Sequence, residues 1–73
     1  MIRFHLKELI ARKEFEWNKK VTYEDITLAT GIHRGTLSKI ANKRGYNTTT
    51  DNIDALCAYF ECAVGEFMER VSE

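Results

Sequence analysis

Gly31 and Ile32 separate two short stretches of helical periodicity, and this interruption constrains the fold more than any other feature of the chain. Upstream of it, Val21-Thr22-Tyr23-Glu24-Asp25 reads as a helix start. Thr22 offers a side-chain oxygen to the first amides, and the two acidic residues sit where the positive end of the helix dipole favours them. Ile26, Ala29 and Thr30 lead to Gly31, which adopts the left-handed conformation that ends a helix at little cost. Ile32 is then the buried residue of the turn. A second helical stretch opens near His33 or Arg34, directs Leu37, Ile40 and Ala41 inward, and stops before Gly45. Arg34, Gly35, Ser38, Lys39 and Asn42 are left on its outer side.

The flanking segments supply the remaining helices. Leu6, Leu9 and Ile10 recur at helical spacing and predict a first helix from about Phe4 to about Asn18, with no glycine or proline to mark its end. The alternation Ile2-Arg3-Phe4 supports a short amino-terminal strand as the competing reading. Such a strand has to pair with another segment or another chain, and the second option hints at dimerisation. Arg12-Lys13-Glu14 reads as a solvated face, and Phe15 and Trp17 either close the core or form an exposed patch for another protein. After a polar connector, Tyr46 to Thr50, one of the last threonines caps a helix whose core face is Ile53, Leu56, Cys57 and Phe60. Cys62 to Gly65 reads as a tight corner and Glu66 to Val71 as a last short helix. The expectation is one all-α domain over 1–73, without linker or repeat.

Composition narrows the function. Eleven basic and eleven acidic residues cancel, which argues against a general nucleic-acid glue. Their distribution is uneven: Arg34, Lys39, Lys43 and Arg44 lie in an acid-free stretch from His33, while Glu61, Glu66, Glu69 and Glu73 gather toward the carboxyl end. No apolar run approaches the ~18 residues of a membrane span, and the first residues lack the features of a secretion leader, so a soluble cytoplasmic protein is expected. If Cys57 and Cys62 share one helix they point in different directions, and they read as small buried hydrophobes rather than a bridge. With His5 and His33 they form no CxxC or HxxxH pair, so neither a metal nor another cofactor is expected. Enzymatic chemistry is not expected either, since the histidines pair with no nucleophile and the adjacent Glu24 and Asp25 cannot face each other.

The stretch Thr22-Tyr23-Glu24-Asp25-Ile26-Thr27-Leu28-Ala29-Thr30-Gly31-Ile32-His33-Arg34-Gly35-Thr36-Leu37-Ser38-Lys39-Ile40 resembles the helix-turn-helix of the Cro and phage-repressor family of transcriptional regulators. Asn52 to Met68 resembles that family's fourth helix, its corner and the start of its fifth, so nearly the whole chain is covered. The resemblance implies a five-helix repressor-like DNA-binding domain, with the motif at about 22–41, that reads the major groove of double-stranded DNA as a homodimer and acts on the transcription machinery. It assigns base reading to Arg34, Gly35 and Lys39, with Thr36 and Ser38 in reach of a base edge, sugar or phosphate. Thr22, Tyr23, Asn42, Lys43 and Arg44 match the phosphate-gripping positions. Arg34 and Lys43 also have plain readings, as a solubilising arginine and as a cation at a helix carboxyl end.

There are departures from the family pattern. Tyr23 stands where a glutamine is frequent, Thr27 where alanine is customary, Thr30 at an often apolar place, and His33 where serine or threonine usually opens the helix. The implied dimer surface is helix five with Phe67, Met68 and Val71, or an exchanged amino-terminal strand. The alternative function is a protein-interaction module on the same fold without specific DNA readout.

Overall fold

Thr22 begins the central unit as the sequence requires. Its hydroxyl accepts the Asp25 N–H at 3.1 Å while the Asp25 carboxylate accepts the Thr22 N–H at 3.0 Å, a reciprocal capping box. The computed structural model describes residues 1–72, in the order β1 (Ile2–Phe4), α1 (Leu6–Trp17), α2 (Tyr23–Thr30), α3 (Arg34–Asn42), α4 (Thr50–Phe60), α5 (Val64–Phe67) and β2 (Met68–Arg70). Gly31 ends α2 at φ 78°, and its N–H donates to the Thr27 carbonyl at 2.8 Å. Ile32 is buried immediately after it. Thr49 caps α4 through the Asn52 N–H at 3.1 Å.

One apolar core joins all five helices. Leu6 and Leu9 from α1, Ile26 from α2, Leu37 and Ile40 from α3, Leu56 and Phe60 from α4, and Phe67 from α5 are buried in it. The Tyr59 ring meets Phe60 edge-on at 5.0 Å and Trp17 edge-on at 5.8 Å, so α1 and α4 are joined through aromatic contacts.

The amino terminus is a strand, so Phe4 lies outside the first helix. β1 pairs antiparallel with β2, Ile2 opposite Arg70 and Phe4 opposite Met68. The ladder is continued by the Val71 N–H to the Met1 carbonyl at 2.8 Å and the His5 N–H to the Phe67 carbonyl at 2.7 Å. The strand finds its partner within the same chain, which removes it as a hint of dimerisation. The same pairing corrects the expected last helix: α5 is one turn, and the segment expected to continue it as helix is extended from Met68. Phe67 is fully buried against Phe4, with ring centroids 5.5 Å apart, and is not available as a dimer surface.

Three further expectations change. Phe15 is 89% exposed and outside the core, while Trp17 is half-buried and packs. Arg12-Lys13-Glu14 is not a solvated face throughout: Lys13 is 6% exposed, its Nζ 2.9 Å from Glu16 Oε1 and 5.6 Å from the Trp17 ring centre. The Glu14 carboxylate accepts the Val21 N–H at 2.9 Å and pins the connector to α2. Cys57 and Cys62 do not share a helix. Glu61 takes the left-handed conformation at φ 55°, and the Cys62 N–H returns to the Cys57 carbonyl at 3.0 Å. This six-residue closure sets the two side chains against each other. Both are free thiols, and burial first, then the neighbouring Cys62, pushes the Cys57 thiol up to about 11.

Three carboxylates are held below their ordinary range by contacts that form in the folded chain. Asp25 is lowered by the Thr22 N–H, Glu66 by the Ala63 N–H, and Glu8 by its hydrogen bond with His5. A depressed carboxylate contributes stability above its unfolded value near ~4 and loses it as pH falls through the folded one. Thermal unfolding followed by circular dichroism is therefore expected to give a midpoint that holds near neutrality and declines below about pH 4. An unchanged midpoint from pH 6 to pH 3 would contradict these contacts.

Candidate nucleic-acid interface

α3 is amphipathic for a simple reason. Its sequence alternates so that Leu37 and Ile40 fall on one side and Arg34, Gly35, Ser38, Lys39 and Asn42 on the other. The first pair is buried and the second group exposed; Thr36 is half-buried between them, as is Ala41. The core thus fixes which way the cations point.

The turn that aims α3 is held by a side chain. The Thr30 hydroxyl donates to the Ile26 carbonyl at 2.7 Å and accepts the Ile32 N–H at 3.2 Å, so this departure from an apolar residue is fully satisfied. Thr27 is different: its buried Oγ1 has no hydrogen-bond partner among the described residues. His33 is exposed and makes no side-chain cap, unlike Thr22 and Thr49 at the starts of α2 and α4. The first amides of α3 are therefore left for another acceptor.

At the other end the backbone is closed. The Lys43 N–H donates to the Lys39 carbonyl at 2.8 Å and Asn42 Nδ2 to the Ser38 carbonyl at 3.0 Å. Lys43 Nζ lies 5.9 Å from the centre of the Tyr46 ring. Among the described residues Arg34 and Lys39 form no ion pair, and two of the acidic residues toward the carboxyl end are engaged elsewhere. Glu66 pairs with Arg12 at 3.2 Å and Glu69 with His5 at 3.1 Å. Thr22 and Tyr23 open α2, Thr22 exposed and Tyr23 half-buried.

Gly35 occupies an exposed position in the first turn of α3, and nothing lies within 4 Å of where its Cβ would stand. Packing does not require a glycine there. Sequence reasoning singled out the α3 cations because a helix face is legible from spacing. It passed over Arg3 and Lys7, which the fold brings beside the end of α3. No local signal in either segment reveals that proximity.

Two short helices joined by a glycine turn, with the second held by its apolar side and presenting cations outward, define a helix-turn-helix protein. The chain belongs to the Cro/C1-type HTH DNA-binding domain family, whose sequence model matches residues 5–73. No curated protein and no solved structure matches the chain. Among the described residues no helix is long and apolar enough to cross a membrane, and no three metal-ligating side chains converge.

Proposed function

We propose that the chain, as one domain over 1–73, is a cytoplasmic transcriptional regulator that binds double-stranded DNA sequence-specifically, as a homodimer, with α3 in the major groove. The observation that carries this reading is the outer face of α3, cationic and polar with no large apolar side chain and no carboxylate. Arg34 and Lys39 read base edges, with Thr36 and Ser38 beside them. Thr22, Tyr23, Asn42, Lys43 and Arg44 hold phosphates on either side. A single domain this small offers few base contacts, and two copies on half-sites one helical turn apart supply the rest. The reaction is equilibrium binding, and regulation follows from excluding or recruiting the transcription machinery.

Selection from a random duplex library tests the reading. An enriched inverted repeat with half-sites about 10 bp apart is the expected result. No enrichment, and no affinity above background at low salt, would defeat it. Gly35 provides a second test because its two readings have opposite signs. Gly35→Ala is expected to raise folding stability by roughly 0.4–1 kcal/mol, as replacing a glycine in a compatible helical conformation does by restricting the unfolded chain. The added methyl group stands where the groove wall approaches, so affinity for the selected duplex falls. A variant more stable and equally tight would remove Gly35 from the interface.

A protein-interaction module remains the second reading, favoured by Phe15 at 89% and Leu28 at 80% exposure. Both stand on the sides of α1 and α2 turned from the core, not on α3.

A further inference from the structure

The strand at the amino terminus creates a feature that the helix-turn-helix unit does not have by itself. Between β1, the first turn of α1 and the end of α3 runs a groove of about 540 Å3. Arg3, Lys7, Lys43 and Arg44 line it, with Glu8 as the one carboxylate among the described residues of the lining. Glu8 is already engaged, its Oε2 3.1 Å from Arg3 Nη2 and 3.1 Å from His5 Nδ1. Lys7 is exposed and has no ion pair or hydrogen bond among the described residues. In a chain of zero net charge, Lys7 and Lys43 thus give the described lining of the groove a local positive excess.

We propose that the groove is a phosphate site, in which Lys7 and Arg3 hold a phosphodiester of the duplex backbone beyond the carboxyl end of α3. The proposal rests on the reading of α3 given above and extends its footprint to two elements outside the motif. The length of α3 supports the placement. Arg34 to Asn42 spans about 12 Å at the helical rise, and the major groove is also about 12 Å wide. A helix that meets base edges near Arg34 therefore brings its other end to the bordering backbone. Lys43 and Arg44 stand at that border, and the groove continues the same line of charge to Lys7 and Arg3. An irregular row of cations along a trench suits a polyanion, which offers a phosphate every few ångströms along its strand.

The experiment uses the full chain and a duplex it selects. Binding is measured for the native chain, Lys7→Ala, Lys7→Arg, Arg3→Ala and Arg34→Ala from 50 to 200 mM salt. Lys7→Ala is expected to weaken selected and scrambled duplexes equally, by roughly threefold at low salt, and to reduce the slope of log K against log salt by about 0.9. Arg3→Ala shifts the slope the same way, and Lys7→Arg keeps the native slope. An unchanged slope in Lys7→Ala, with base preference still altered by Arg34→Ala, overturns the groove proposal and leaves the α3 reading standing. A native chain that binds no duplex defeats both. Inorganic phosphate is the control for a free anion: if it raises the thermal midpoint of the native chain but not of Lys7→Ala, while duplex slopes are unchanged, the groove holds a free anion and the proposal fails.

Discussion

Replacing Phe60 with alanine is expected to destabilise the fold by about 3–5 kcal/mol, among the largest effects of any single truncation in this chain. Phe60 is completely buried at the end of α4 and meets the Tyr59 ring at 5.0 Å. Its removal takes away the transfer free energy of a benzyl group and leaves a cavity that five short helices cannot fill without moving. Per-residue averages put the total stability of a chain this size at roughly 4–11 kcal/mol, so one substitution consumes a large part of it. Urea unfolding monitored by circular dichroism measures the change, with the midpoint falling and the slope retained. Phe15→Ala is the control. At 89% exposure it is expected to stay within about 0.5 kcal/mol of the native chain. A loss below 1 kcal/mol for Phe60, or a comparable loss for Phe15, would contradict the packing.

Arg34→Ala is expected to have the largest effect on recognition. On the proposed reading the exposed guanidinium gives two parallel donors to one guanine edge, a contact worth about 1–3 kcal/mol of discrimination. In a competition assay the variant accepts any base at one position of each half-site while preference elsewhere is kept. Lys43→Ala contrasts with it: binding weakens by a similar factor on every duplex, and the salt dependence becomes shallower. Both side chains are exposed, and neither contributes to the core, so the variants are expected to fold. Equal loss on all sequences for Arg34→Ala would make it a phosphate contact and leave specificity to Lys39 or to the deformation of the duplex.

The central unit was legible because its signals are local. Thr22 caps, Gly31 turns left-handed, and Ile32, Leu37 and Ile40 are spaced for one buried side; each inference needs only neighbours in sequence. The two other left-handed helix ends show where such signals run out. Asn18 ends α1 in the left-handed region at φ 52°, a conformation asparagine tolerates better than most residues, so composition held a cue that a search for glycine and proline misses. Glu61 ends α4 in the same conformation with no residue-type cue. That displaced the corner from Cys62–Gly65 and hid the contact between the two cysteines.

Longer-range features were legible only as alternatives. Ile2-Arg3-Phe4 alternates like a strand, but its partner is Met68–Arg70, and a pattern read as the continuation of a helix gave no sign of it. Lys13 lies in a charged triplet, and its burial depends on the Trp17 ring and Glu16 arriving on the same side of α1. For the candidate interface the same division holds. The α3 cations follow from helical geometry, whereas Arg3 and Lys7 join them only through the pairing of the two ends of the chain.

That pairing makes the polypeptide a nearly closed circuit. The amino group of Met1 lies 3.2 Å from the Val71 carbonyl oxygen, so the backbone returns to its starting point after passing through every helix. A short linker bridging this gap, with a new break in the exposed connector near Asn47, would give a circular permutant that keeps each core contact and the order of α2 and α3. The backbone at Met1 and at Val71 thus lies side by side, and both residues border the cationic trench.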